Sequence, residues 1–141
     1  MLAESIQASL LFWGESPTVL ELADGELAGN VKQRSPIGST ELNGSPLEKN
    51  FVIVRIPIDA DDDTSSLAFV ENWLKRNRNL LNNCVAQKTI EFCTFLEPNT
   101  GSRILSLPHS LVQLAAELGL SISSQAMRIL TEDELRRRKP V

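Results

Sequence analysis

FVIVRIPI, residues 51–58, opens the stretch 51–96 around which the rest of the chain is organised. Its β-branched residues recur at every second position, the spacing that places side chains on one face of a strand. The residues on this face, which we expect in the core, are Val52, Val54, Ile56 and Ile58. Arg55 falls on the opposite face, and Pro57 cannot donate a ladder hydrogen bond. The strand therefore ends near Pro57 or lies at a sheet edge there.

A helical period follows the acidic run at residues 59–63. A hydroxyl among residues 64–66 can accept a hydrogen bond from the first free amides of the helix. Asn82 and Asn83 close the helix, because Asn tolerates left-handed geometry. The predicted buried stripe of this single helix consists of Leu67, Val70, Trp73, Leu74, Leu80 and Leu81. A strand from Lys88 to Leu96 follows.

The flanking segments supply the remaining elements. In chain order we predict a strand over Ser5–Trp13, a short helix after Ser16, a long turn-rich loop over 24–50, a strand over Arg103–Leu107, a helix from Pro108 to Gly119, a strand over Ile122–Leu130 and a short helix and tail over 131–141. From Phe51 this is the ferredoxin-like βαββαβ order. The predicted fold is α+β, an antiparallel sheet with two main helices on one face and an extra N-terminal strand at an edge. A more open α+β meander with the first strand in a central position is the alternative.

Length and composition bound the class of protein. A chain of 141 residues with 42% hydrophobic residues is one ordinary domain, residues 1–141, that needs no metal or disulfide to build a core. The net charge of −4 argues against nucleic acid and anionic membrane as partners, because both attract an excess of Lys and Arg. Cys84 and Cys93 form no disulfide framework, and the first residues lack the pattern of a signal peptide. We therefore expect a cytosolic protein.

The run SLPHSLVQLAAELGL, residues 106–120, is the most recognisable part of the chain. With the strand predicted before it and the polar strand after it, it resembles a bacterial family known only as a domain of unknown function. The resemblance covers residues 5–129 and implies an opening strand, a turn-rich segment, a strand, a long helix, a strand and a closing helix. Residues 24–50 depart from the family pattern. No catalytic residue comes with the resemblance, because none is established for the family.

No motif in the sequence predicts catalysis or metal binding. The spacing of Asp59, Asp61 and Asp63 resembles the start of a calcium loop, but Thr64 stands where that loop needs Gly, and Val70 where it needs Glu. An acidic linker that caps a helix is the simpler interpretation. There is also no phosphate-cradling glycine loop. We predict no metal, no cofactor and no catalytic residue.

Three side chains are candidate ligand-binding residues. Trp13 lies at the end of the first strand, where it can stack on a flat ligand or pack in the core. Arg55 lies on the half-covered face of its strand, and His109, the only histidine, lies near a helix N-terminus. The predicted function is a non-enzymatic binding or regulatory module. A small enzyme or ligand-binding protein with a pocket between the sheet and the 24–50 loop is the alternative.

The last predicted strand also suggests a mode of association. Residues 121–130 carry a single charge, Arg128, and offer Met127 and Ile129 on one face. An edge strand that has few charges and no proline pairs readily with another strand. We therefore predict a homodimer through this sheet edge. The alternative is that the helix over Thr131–Lys139 folds back over the edge and keeps the protein monomeric.

Overall fold

The computed structural model describes residues 6–40, 44–96 and 104–128, together with Asp133, Arg136 and Arg137. In chain order the elements are β1 (Ile6–Gly14), α1 (Thr18–Asp24), a 3-10 turn (Ala28–Asn30), β2 (Val31–Ser35), β3 (Asn50–Arg55), α2 (Asp63–Arg76), α3 (Arg78–Asn83), β4 (Gln87–Leu96), α4 (His109–Glu117) and β5 (Leu120–Arg128). Within these ranges the fold is α+β, with a mixed sheet of five strands and four α-helices.

The strands lie in the order β2-β3-β1-β4-β5. β1 is central, since Leu10 lies opposite Val54 of β3 and Ile90 of β4, both in antiparallel pairs. The prediction that the first strand lies at an edge is therefore wrong, and its central position agrees with the alternative architecture. The ferredoxin-like order predicted from Phe51 is not confirmed.

The pairing of the last two strands explains why the sheet is mixed. β4 and β5 pair in parallel, so the prediction of an entirely antiparallel sheet is wrong. Residues 104–107, the described part of the strand predicted over Arg103–Leu107, form no strand. Without a strand there, α4 is the connection that returns the chain to the starting end of β4, as parallel pairing requires.

Burial alternates along the strands and defines one core-facing side. On β1 the buried residues are Ile6, Ala8, Leu10 and Phe12, and their neighbours are half-buried. The same hydrophobic cluster contains the buried residues of the helices, among them Val19, Leu67, Val70, Trp73, Leu74, Leu81, Leu111 and Leu114. The buried stripe predicted for residues 67–81 is thus confirmed, except that Leu80 is only partly buried.

The helix predicted as continuous from Leu67 is divided at Asn77. The Asn77 side chain donates to the carbonyl of Trp73 at 2.9 Å, and its own carbonyl accepts from the amide of Leu81 at 3.0 Å. An Asn side chain that bonds to nearby backbone competes with the helical ladder, so α2 ends there and α3 begins. The N-cap is Asp62, whose Oδ1 accepts from the Ser65 amide at 2.7 Å, rather than a hydroxyl of residues 64–66.

Residues 24–50, interpreted from sequence as a turn-rich loop, contain β2. This strand pairs antiparallel with β3 at the opposite edge from β5. After β2, the Gly38 amide donates to the carbonyl of Leu47, and the Leu47 amide donates to the carbonyl of Ser39. β2 escaped prediction because VKQRS offers one apolar residue, Val31, and an edge strand with so few apolar residues leaves no alternation to detect.

The C-terminal region is described up to Arg128 and in part beyond it. Gly119 has φ +70°, which confirms the left-handed ending predicted for the second main helix. The short helix predicted over 131–141 lies almost wholly outside the described residues. None of the helices in the described ranges has the length and hydropathy that a membrane span requires.

Candidate functional site

The side of the sheet opposite the core-facing residues is the candidate site, and we call it the outer face. Its residues alternate with the buried ones along four of the strands: Gln7, Ser9, Leu11 and Trp13 on β1; Phe51, Ile53 and Arg55 on β3; Gln87, Thr89, Glu91, Cys93 and Phe95 on β4; Ser121, Ser123, Gln125 and Met127 on β5. On β2, Gln33 and Ser35 lie opposite Ile53 and Phe51 of the same face. The residues from β1 and β3 are all half-buried, and Met127 at the β5 edge is 47% exposed. The outer face is therefore partly open to solvent.

One end of the outer face is apolar. Trp13 lies directly opposite Phe51, and their ring centroids are 6.1 Å apart at an interplanar angle of 43°. The next cross-strand pair is Leu11 with Ile53. The indole Nε1–H of Trp13 donates to Oε1 of Gln87 on β4, and this hydrogen bond holds the ring in place. Such a cluster can contact an apolar or aromatic surface.

The middle of the outer face is a charged row. Strand register places Arg55, Ser9 and Glu91 side by side on β3, β1 and β4. Nε of Arg55 donates to Oγ of Ser9 at 3.0 Å. Across two strand spacings, the backbones of Arg55 and Glu91 are about 10 Å apart. Ion pairs among the described residues include Arg34–Asp24 and Lys75–Glu71, and neither Arg55 nor Glu91 takes part in an ion pair within the described ranges.

Neither cysteine has the properties of a nucleophile. Burial raises the pKa of the Cys84 thiol above its ordinary value, and Lys88 offsets this only in part. Burial also raises the pKa of Cys93, as does the nearby Glu91 carboxylate, while Arg55 lowers it. A raised pKa leaves little thiolate at neutral pH, and the thiolate is the reactive form. Both thiols are free rather than paired in a disulfide.

The structure places two of the three candidate ligand-binding residues on the same face of the sheet but does not bring them into contact. Trp13 and Arg55 share the outer face, four residues apart along the strands because Arg55 pairs with Ser9, or about 14 Å. His109 is the first residue of α4 and is exposed, and it does not belong to the outer face. Sequence reasoning missed Glu91, since only the register of β1 with β4 places it beside Ser9.

The acidic segment before α2 has a structural role at Asp62. Its carboxylate accepts from the amide and the hydroxyl of Ser65, and the amide hydrogen bond is the main reason that its pKa is lowered. Within the described residues, no group of three or more His, Cys, Asp or Glu side chains is placed to hold a metal ion.

A second polar contact joins two helices. The Ser110 hydroxyl of α4 donates to Oε1 of Glu71 on α2, and Lys75 lies 3.2 Å from the other carboxylate oxygen. The Ser110 hydrogen bond, followed by the attraction of Lys75, lowers the pKa of Glu71. Burial opposes this shift but is outweighed. The contact stabilises the packing of α2 on α4 and lies away from the outer face.

Comparison with known proteins gave no relatives. A scan against models of protein families, a search of curated proteins and a search of solved structures each found no match. The family resemblance drawn from residues 106–120 therefore stays a prediction.

Proposed function

We propose that the protein is a cytosolic, non-enzymatic module that binds another protein chain through the outer face of its sheet. The observation that supports this proposal is the half-buried apolar cluster of Leu11, Trp13, Phe51 and Ile53 on the non-core side of β1 and β3. In this proposal the helices cover only the core-facing side, and the outer face stays free for a partner. Clusters of exposed aromatic and aliphatic side chains are typical of protein interfaces.

The shape and chemistry of the outer face favour binding over catalysis. Side chains on one face of a sheet stand side by side, whereas an active site needs polar groups that converge on one reacting atom. Cys93, the thiol on this face, has a raised pKa, and His109 lies on α4 rather than beside it. The alternative of a small enzyme or ligand binder, with its pocket between the sheet and residues 24–50, gains no comparable support from the described residues.

Site-specific photocrosslinking tests this proposal without knowledge of the partner. A benzophenone amino acid at Leu11 samples the outer face, and the same group at Val112 samples an apolar residue of α4 that is 39% exposed. In cells that produce the protein, we expect the group at position 11 to crosslink to one discrete protein and the group at position 112 to give no crosslinked product. No adduct from position 11, or equal adducts from both positions, would contradict the proposal.

The β5 edge is a second candidate surface for a protein partner. β5 lies at the edge of the sheet and keeps an unbroken register with β4 from Leu120 to Arg128. Residues 120–127 contain no charge and no proline, so the edge lacks the usual features that block pairing. Pairing with β5 of a second copy is the homodimer predicted from sequence. If it forms, Met127→Lys, which adds a charge to this edge, should lower the mass measured by sedimentation.

A further inference from the structure

We propose that the partner of the outer face is a second copy of this chain, docked face to face around a two-fold axis that runs parallel to β1. This inference rests on the proposed function, because it names the occupant of the same surface. It differs from pairing at the β5 edge, since the two sheets stack rather than join.

Charge complementarity selects a second copy and also its orientation. A two-fold axis parallel to β1 lays β3 of one copy over β4 of the other, because these strands flank β1 on opposite sides. Arg55 of each copy then faces Glu91 of the other copy, twice in the dimer. An axis perpendicular to the strands through Ser9 would instead place Arg55 over Arg55, which is repulsive.

The distances suit this arrangement. Packed sheets lie about 10 Å apart, a gap that an Arg and a Glu side chain together can cross. Ser9, the small residue between the two charges, faces its own copy and leaves room for both ion pairs. The guanidinium already has its Nε directed to Ser9 at 3.0 Å, so its terminal nitrogens can form a hydrogen-bonded ion pair.

The rest of the outer face fits the same operation. Leu11 and Trp13 each meet their own copy, Ile53 lies over Thr89, and Phe51 lies over Gln87 of the second copy. Five strands about 4.8 Å apart, with nine residues in β1 at about 3.4 Å each, span roughly 20 by 30 Å. Two such faces bury about 1,200 Å², the lower limit of stable interfaces.

The monomer leaves both charges of the row without an ion-pair partner in the described chain. Arg55 and Glu91 lie on a half-buried face. Both act on the pKa of Cys93, which shows that they lie around one thiol. Removing a charge from water without a partner costs free energy, whereas reciprocal pairing across the axis compensates each charge.

Charge exchange tests the proposal by sedimentation at micromolar concentration. The wild-type chain should give about twice its mass of 15.6 kDa. Arg55→Glu and Glu91→Arg should each weaken the dimer at least tenfold, because each places like charges across the axis. The double variant should recover the wild-type dissociation constant. Arg76→Glu, an exposed charge change on α2, is the control and should leave the dimer unchanged.

The outcomes separate this inference from the proposed function. If the wild-type chain is a monomer at every concentration, and position 11 crosslinks to a protein whose mass differs from that of this chain, the second copy is ruled out as the partner. The proposal that the outer face binds a protein is then retained. Failure of the double variant to recover the dimer overturns the reciprocal pairing. If either charge-reversal variant fails to fold, the neutral variants Arg55→Gln and Glu91→Gln are measured in its place. Each should then weaken the dimer, and the double variant should be no weaker than either single variant, whereas additive losses overturn the pairing.

Discussion

The first prediction concerns Asn50, whose side chain hydrogen-bonds two loop segments at one end of the sheet. Its side chain is buried, at 4% exposure, and lies at the start of β3. Oδ1 accepts from the amide of Ile37 at 2.8 Å, and Nδ2 donates to the carbonyls of Ser16 at 3.1 Å and Glu15 at 3.3 Å. One side chain thus joins the turn after β1 to the segment after β2.

The expected cost of Asn50→Ala follows from these three hydrogen bonds. At about 1 kcal/mol each, with a further penalty where a buried group is left unpaired, the free energy of unfolding should fall by about 2–4 kcal/mol. Asn50→Asp keeps the acceptor for Ile37 but directs a carboxylate at two carbonyl oxygens, so it should also destabilise the protein. Asn79→Ala, an exposed position on α3, should have little effect.

Urea unfolding measures these differences, and hydrogen exchange locates them. The Ile37 amide should be protected in the wild type and in Asn50→Asp, because both keep the acceptor, and should exchange faster in Asn50→Ala. If Asn50→Ala unfolds within about 0.5 kcal/mol of the wild type, a range usual for surface substitutions, the three hydrogen bonds do not hold the turns.

Three further predictions concern the core, a helix end and pH. Leu74→Ala should cost about 2–5 kcal/mol in urea unfolding, because Leu74 is fully buried, whereas Lys75→Ala should cost little; equal losses would refute the buried stripe. Gly119→Ala should cost about 1–2 kcal/mol through its positive φ alone, since the nearest atom to an added Cβ is 3.7 Å away; an unchanged thermal midpoint would argue against the left-handed backbone. The folded-state pKa of Glu71 is depressed, so its contribution to stability is present above the unfolded value of about 4.5 and is lost as pH falls through the folded value. Ser110→Ala should therefore destabilise the protein at pH 7 and much less near pH 3; a pH-independent difference would contradict this linkage.

The sequence pattern predicted the strands and helices whose apolar residues recur with a clear period. β1, β3 and β4 each place apolar residues at every second position, and α2 carries its apolar residues on one stripe that includes Trp73. Periodicity reports which face of an element is buried, because burial and side-chain direction share one period. It does not report which element lies beside it. The faces of these elements were therefore predictable and their neighbours were not.

The errors in sheet order have this common origin. An alternating strand such as β1 has the same pattern at an edge and at the centre, so its central position could not be predicted from its own residues. The run over residues 104–107 carries enough apolar residues for a strand, yet no neighbour pairs with it in the described chain. Because these residues form no strand, α4 connects β4 to β5. As a result β5 runs parallel to β4 rather than antiparallel to it.

The candidate site also depends on which strands are neighbours in the sheet. Arg55, Phe51 and Ile53 share a face in the sequence pattern alone, so a half-covered surface on β3 was predictable. The charged row is different, because Arg55 and Ser9 are 46 residues apart in sequence and Glu91 belongs to a third strand. Had β1 lain at an edge, Ser9 would have had one neighbouring strand, and the row of Arg55, Ser9 and Glu91 could not form. The central position of β1 therefore places Arg55 and Glu91 on opposite sides of Ser9, the arrangement on which the proposed two-fold contact depends, and a chain with the predicted order would lack it.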